Sequence, residues 1–333
     1  MSFALSLLTG VVLGSLAMFV AAWSIWWERK FAARLQSRPG PTEVGPIGLP
    51  QPLADGLKLM QKEIIIPRAA DKLLFVISPA VAAAGTLALF AVIPWSETVG
   101  VAGDLNIGLL WIFAVGALLV LPQWVAGWAS NNKYALLGAM RSAAQSVSYE
   151  VPLLLSGMVP ILLAGSFQMD EIVAAQQGGR WFAFWPPGPG ALAFGLFYLC
   201  SLAEANRIPF DIPEAESELI GGVTTEHTGM IGVVLQLAEY LHTLVTAAVC
   251  ATLFFGGWEG PGAWFGMEGF LAEGLHWMVL KTLVLFALVF WIRWSWMRYR
   301  SDQLLKICWH YLIPASLALL AVTAIWVRLV EGA

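Results

Sequence analysis

Apolar runs long enough to cross a bilayer recur from one end of this chain to the other, and they remove most folds from consideration. A spanning helix needs roughly 20 apolar residues. Candidate spans fall at 4–27, 73–95, 105–128, 146–166, 190–205, 227–256, 272–297 and 308–329. The fifth is the shortest and contains glycine. Residues are 59% hydrophobic and only 12% charged, so no large soluble domain fits in what remains. Backbone polar groups in lipid must be satisfied internally, which for runs of this length means helices. The expected fold is all-α: a polytopic membrane protein with about eight transmembrane helices plus amphipathic interfacial helices. The chain, 1–333, reads as a single integral membrane domain.

The first run is too long for a signal-peptide core and lacks a basic start, so it reads as a retained anchor. Every Lys and Arg except Arg180, Lys281 and Arg328 falls in the first, third, fifth and seventh connections. The positive-inside rule then puts those connections in the cytoplasm and the N-terminus outside. Tryptophans near run ends, such as Trp23, Trp27, Trp95 and Trp294, are placed as interfacial anchors.

The first connection, 28–72, carries Leu53, Leu57 and Met60 at helical spacing, with Asp55, Lys58 and Lys62 between them. That pattern predicts an amphipathic helix lying at the membrane surface. Met169 to Val173 predicts a short outward helix.

The three cysteines are scattered through apolar runs with no CxxC pair. Neither an iron–sulfur nor a zinc site is expected within the chain. The histidines lack metal-ligand spacing, and His276 and His310 read as interfacial or packing residues. No Walker A loop and no GxGxxG fingerprint are present. Net charge is −4, and no nucleic-acid partner is expected.

Ionisable groups inside or at the edge of a membrane are costly and mark ion, proton or substrate paths. Glu150, Glu204 and Glu239 lie in or at the ends of candidate spans. Asp211, Glu214, Glu216, Glu218 and Glu226 crowd the connection 204–228. Burial and neighbouring like charges favour the protonated form of a carboxyl group, so such a series can hold and pass protons. Glu239 and His242 are three apart and share a helix face. Arg207 and Lys281 supply counter-charge. The plainer possibility is that each acid pairs with a base to tie helices together. Arg29, Arg34 and Arg38 beside Phe31 could line an entrance for an amphiphile with a polar head, or could serve topology and lipid headgroups.

The segment Glu204-Ala-Asn-Arg-Ile-Pro-Phe-Asp211 is followed by Pro213-Glu-Ala-Glu-Ser-Glu-Leu219 and Thr225-Glu-His-Thr-Gly-Met230. Together they resemble the quinone-tunnel membrane subunit of bacterial NADH–quinone oxidoreductase, respiratory complex I. Glu28-Arg29-Lys30, Gly48 to Asp55, Gly127 to Tyr134, Arg141 to Glu150, Phe255 to Trp258 and Arg300 to Leu304 extend the likeness over essentially the whole chain. The resemblance implies a subunit that forms the membrane part of a quinone chamber and couples quinone reduction to proton translocation. Quinone is then a substrate bound at the interface with partner subunits, and flavin and iron–sulfur clusters belong to those partners. The implied partners are the peripheral quinone-module subunits, the small membrane-arm subunits and membrane lipid, in a bacterial plasma membrane. Mapped onto this sequence, Glu28, Arg29, Arg34, Asp55, Arg207 and Phe210 fall around the quinone path. Glu150, Glu204, Asp211, Glu214, Glu216, Glu218, Glu226 and Glu239 fall along the proton or coupling route.

The sequence departs from that family at Thr42-Glu43, at His227, where a tyrosine is usual, and at Ala117, where some members carry a glutamate. Pro122 also interrupts the third run. The related anchor subunit of a membrane-bound hydrogenase-type complex is the alternative, and the intact 209–218 segment argues against it. The lack of internal repeats weighs against an independent secondary transporter.

Overall fold

A computed structural model describes residues 3–213, 216–265 and 269–331. Seven of its helices are long and apolar enough to cross a membrane, and an eighth apolar helix is shorter. The chain runs α1 (Phe3–Leu35), α2 (Gln51–Gln61), α3 (Lys72–Phe90), α4 (Gly108–Leu118), α5 (Val120–Ala129) and α6 (Lys133–Ala164). It continues through α7 (Met169–Ala174), α8 (Pro189–Glu204), α9 (Glu216–Leu219), α10 (Gly229–Phe254), α11 (Leu275–Ser295), α12 (Ser301–Ile307) and α13 (Ile313–Glu331). The all-α fold and the amphipathic α2 agree with the sequence reading.

Several helix limits differ from the hydropathy reading. Helix α1 continues past the apolar run to Leu35, so Glu28, Arg29 and Arg34 stand on a helix instead of in a connection. The residues added are mostly Glu, Arg, Lys, Ala and Leu, all good helix formers. Hydropathy marks where the bilayer ends, which is not where the hydrogen-bonded helix ends. Helix α6 likewise starts at Lys133, ahead of the expected 146, because Asn132 caps it by accepting the Tyr134 N–H at 2.9 Å. The third run splits into α4 and α5 just before Pro122, whose ring nitrogen has no proton for the Leu118 carbonyl. The last helix is joined to α12 through a π-helical turn at Cys308–Leu312.

Two long helices organise the bundle. Helix α6 packs against α5, α8 and α13, and α10 packs against α1, α3 and α11. Gly127 lets α5 approach α6 closely: a Cβ there would sit 2.5 Å from the Ala139 Cβ and 2.7 Å from the Ala135 carbonyl. The core is apolar and aromatic, with Tyr149, Phe254, Phe286 and Phe290 fully buried.

Helix α8 spans only 16 residues, about 24 Å, short of the roughly 30 Å hydrocarbon thickness. It opens on Pro189 and stops at Glu204, and Asn206 then adopts a left-handed φ of 51°. The irregular chain that follows is buried at Asn206, Arg207, Phe210 and Asp211. Such backbone is tolerated at this depth only if protein groups satisfy it. Gln145 on α6 does so. Its side-chain amide donates to the carbonyls of Ala203 (2.7 Å) and Phe210 (2.8 Å) and reaches the Asn206 side chain at 3.2 Å. Asn206 in turn donates to Gln123 of α5 at 3.0 Å, and Ser142 donates to the same Gln123 oxygen at 2.8 Å.

Gln145→Leu removes one donor from each of two buried carbonyls, which keep the Asn206 and Ile212 N–H groups as donors. At about 0.5–1.5 kcal/mol for each hydrogen bond lost, it should lower unfolding stability by about 1–3 kcal/mol. Denaturant unfolding of the detergent-solubilised protein checks this, and an unchanged midpoint would contradict the role assigned to Gln145.

Candidate functional site: a basic cavity and a buried carboxylate series

The segment after α8 and the first half of α10 enclose a cavity of about 370 Å³. Its lining includes Lys62, Arg207, Arg293, Tyr240, Glu239 and Gln236. The Arg207 guanidinium lies over the Tyr240 ring, 4.1 Å from its centre, and its Nε donates to the Thr243 hydroxyl at 3.3 Å. The Tyr240 hydroxyl donates to Glu28 at 2.6 Å, and Arg293 pairs with the other Glu28 oxygen at 2.7 Å. Glu28 is only 4% exposed. One wall of the cavity is therefore formed by Arg207, Tyr240 and Arg293 and is tied from behind to Glu28 of α1.

The other residues mapped to the quinone path are distributed differently. Arg29 pairs with Asp55 at 2.8 Å and clips α2 to the end of α1. Burial alone would raise the Asp55 carboxyl, yet hydrogen bonds from Arg29 and Gln51 and the charge of Lys58 hold it below its ordinary value. Arg34 is exposed further along α1. Phe210 packs into the core between Tyr149 and Tyr299 and does not line the cavity. The structure thus brings Glu28 and Arg207 together, leaves Arg29 and Asp55 as a separate surface pair, and sets Arg34 and Phe210 apart.

The carboxylates divide in the same way. Two smaller cavities of about 30 Å³ each lie beyond the first, and roughly 10–15 Å³ is enough to hold a water. Glu239 lines both the large cavity and the first small one. Glu204, His242 and Gly116 line both small cavities, and Glu150 lines the second. Glu239, Glu204 and Glu150 therefore face one stepped series of openings. His242 lies 3.8 Å from Glu204, so the histidine that shares a helix face with Glu239 also approaches a glutamate on the neighbouring helix.

Acids of the 204–228 connection are tied down one by one. Asp211 pairs with Arg298 at 3.0 Å. Burial pushes its carboxyl up, against the pull of Arg298, Arg293 and Arg207. Glu218 pairs with Arg141 at 2.5 Å, and Glu226 accepts from Asn132 at 2.6 Å. Glu214 and the side chain of Glu216 lie outside the described residues. His227 stacks on Phe75 at 4.2 Å, and its burial depresses the imidazole pKa.

Lys281 corrects the sequence reading, which makes it a counter-charge to these acids. It sits at the opposite end of the bundle, where its ammonium donates to the carbonyls of Phe255, Gly257 and Glu259 and lies 4.3 Å from the Trp181 ring centre. Three residues of the site, Gln123, Gln145 and Arg293, escape the sequence reading. Gln123 is visible there as a lone polar residue inside an apolar run, Gln145 falls just ahead of the fourth run among Arg141, Ser142 and Ser146, and Arg293 counts only as a topology charge.

The two kinds of ion pair should respond differently to truncation. Breaking the buried pair by Glu28→Ala leaves Arg293 unmatched and should cost about 3–5 kcal/mol. Breaking the half-exposed pair by Glu218→Ala should cost no more than about 1 kcal/mol. Unfolding midpoints of the two variants, measured side by side, test this ordering.

The sequence profile of the NADH dehydrogenase family matches residues 8–324. An NADH-quinone oxidoreductase subunit from Dehalococcoides mccartyi (strain CBDB1) is 44% identical, over 96% of this chain and 85% of its own length. The subunits of the same name from Anaeromyxobacter dehalogenans (strain 2CP-C) and Chlorobaculum parvum (strain DSM 263 / NCIMB 8327) are each 41% identical, over 96% and 97% of this chain and 81% and 92% of their own lengths. With a family profile and near-full-length relatives agreeing across the same helices, the chain belongs to the NADH dehydrogenase family.

Proposed function

We propose that this chain is the membrane subunit of an NADH–quinone oxidoreductase that supplies one side of the quinone chamber and couples quinone reduction to proton movement. One observation carries the reading: the basic cavity adjoins, through Glu239, two water-sized openings that expose Glu204 and Glu150. A volume of about 370 Å³ lies within the range of small-molecule sites. Arg207, Arg293 and Lys62 offer donors to quinone oxygens, and the Tyr240 ring offers an apolar face.

Reduction of a quinone to a quinol takes two electrons and two protons. The electrons come from partner subunits, because no redox group is expected in this chain. Negative charge that develops in the cavity is stabilised by the two arginines and Lys62. The same charge raises the proton affinity of Glu239, the carboxylate shared with the next opening. Coupling of this kind needs only about 1–3 kcal/mol between two states. The remaining subunits of the complex and membrane lipid are the partners. In this reading the site faces the cytoplasm from a bacterial plasma membrane, with the N-terminus outside. The gathering of Arg34, Lys72, Lys133 and Arg293 at helix termini of one end of the bundle supports that orientation.

The test uses the assembled complex in membrane vesicles. Gln236→Trp fills the cavity from α10, and Arg207→Ala removes its central cation. Each should lower kcat/KM for quinone by about 10–100-fold, about 1.4–2.7 kcal/mol of transition-state stabilisation, while electron transfer from NADH to a water-soluble acceptor stays unchanged. Glu204→Gln should lower the protons moved per NADH. Wild-type quinone kinetics in both cavity variants would refute the chamber.

A further inference from the structure

We infer that His242 is a proton-relaying residue at the neck between the two small cavities, handing protons between water on the Glu239 side and Glu204. The inference rests on the proposed coupling role and adds to it a group outside the carboxylate series.

The two small cavities meet at three residues, Gly116, Glu204 and His242. Gly116 has no side chain, and α4, from Gly108 to Leu118, carries no ionisable residue. A proton passing this neck therefore has two side chains available, the Glu204 carboxylate and the His242 imidazole. His242 is buried, at 8% exposure, yet neither ring nitrogen makes a hydrogen bond to a described residue. Glu204 Oε1 lies 3.8 Å from its Nε2. That gap is too long for a direct hydrogen bond and fits one bridging water or a small side-chain movement. A histidine kept for structure ordinarily has a protein partner on at least one ring nitrogen, as His227 has in the Val223 carbonyl. His242 instead lines space large enough for water on either side of the neck.

The chemistry balances without a further reactant. One ring nitrogen accepts a proton from water in the first small cavity while the other releases its proton toward Glu204. A ring flip or a return transfer restores the starting tautomer, and no bond between heavy atoms changes. The groups facing His242 are Glu204 and Ser201 from α8, Glu150 and Ser146 from α6, Gln123 from α5, and Thr86 from α3. Glu239 lies one turn away on its own helix, and the Arg207 charge also bears on it. Helices α1 and α11 contribute Glu28 and Arg293, which meet at Tyr240 instead.

Gly116 provides an independent handle. A Cβ there would lie 2.9 Å from Glu204 Oε1, so Gly116→Val narrows the neck without removing a titratable group.

The experiment compares assembled complexes carrying His242→Leu, His242→Gln, His242→Glu or Gly116→Val in inverted vesicles between about pH 5.5 and 8.5. Readouts are protons moved per NADH, quinone-reductase rate, KM for quinone, and NADH oxidation by a water-soluble acceptor as the measure of assembly. His242→Leu and His242→Gln should lower protons per NADH at least threefold with KM for quinone unchanged. His242→Glu, which restores a titratable group, should recover at least half of the pumping. Gly116→Val should slow pumping while the pH midpoint stays in place. Wild-type pumping in His242→Leu, or full recovery by His242→Gln, would overturn the relay. Should the Leu variant fail to assemble, the Gln and Gly116 variants decide. Failure of the chamber is separately visible as normal quinone kinetics in Arg207→Ala. If only the relay is wrong, Arg207→Ala stays impaired while His242→Leu pumps normally.

Discussion

The hydrogen bonds from the Gln145 amide to the Ala203 and Phe210 carbonyls pin the irregular segment that carries Arg207 and Asp211. Helix α8 ends early, and the chain beyond it is irregular while still buried. In an apolar surrounding that backbone has no water to fall back on, and an unmet amide or carbonyl there is expensive. Gln145 reaches across from α6 and meets it, while Gln123 and Asn206 close the set from α5 and the segment itself. A helix continuing through 205–213 would need no such help, but it would carry Arg207 and Asp211 round a helical face. The irregular path instead lays the Arg207 guanidinium over Tyr240 and turns Asp211 toward Arg298. The polar network is thus the condition for having a cationic cavity wall at all.

The buried and half-buried acids fall into two energetic classes. Glu28, Asp211 and Glu218 each have an arginine within 3.0 Å. Each such pair fastens two elements together: Glu28 ties α1 to α11, Glu218 ties α9 to α6, and Asp211 ties the 205–213 segment to Arg298 just ahead of α12. Glu239, Glu204 and Glu150 line openings large enough for water. The first class joins helices around the cavity, and under the proposed function the second takes up and releases protons. Of the acids in the 204–228 connection, Asp211 and Glu218 pair with arginines and Glu226 accepts from Asn132. Among the described residues, the acids that share openings stand on α8, α10 and α6.

Much of this fold is legible in the sequence. Apolar runs locate the spans, and the lone acids within them point to Glu150, Glu204 and Glu239 without any structure. Helix limits are less legible, because Glu28 to Leu35 and Lys133 to Gln145 are polar enough to end a hydropathy window yet good at continuing a helix. The i,i+3 spacing of Glu239 and His242 establishes a shared face but says nothing of the neighbouring helix, and the structure sets His242 beside Glu204. Lys281 is misplaced for a related reason: a single cation inside an apolar run carries no sign of which end its ammonium reaches. The glutamines are visible but unreadable, since an uncharged amide inside a span attracts notice only once the carbonyls it serves are known.

Arg207 links the fasteners to the titrating series. It lies over Tyr240, whose hydroxyl is bound by Glu28, and the next residue back along α10 is Glu239. A unit charge about 8 Å from a carboxylate is worth about 2 kcal/mol at an effective dielectric constant of about 20. A free-energy change of that size alters a protonation equilibrium roughly thirtyfold. Under the proposed function, no large rearrangement is then needed to connect quinone chemistry with the first carboxylate. A change of charge in the cavity suffices, provided the arginines cannot swing to cancel it. The contact with the Tyr240 ring and the Glu28 pair hold the two arginines in place, so they screen a developing charge only from fixed positions and Glu239 feels the remainder.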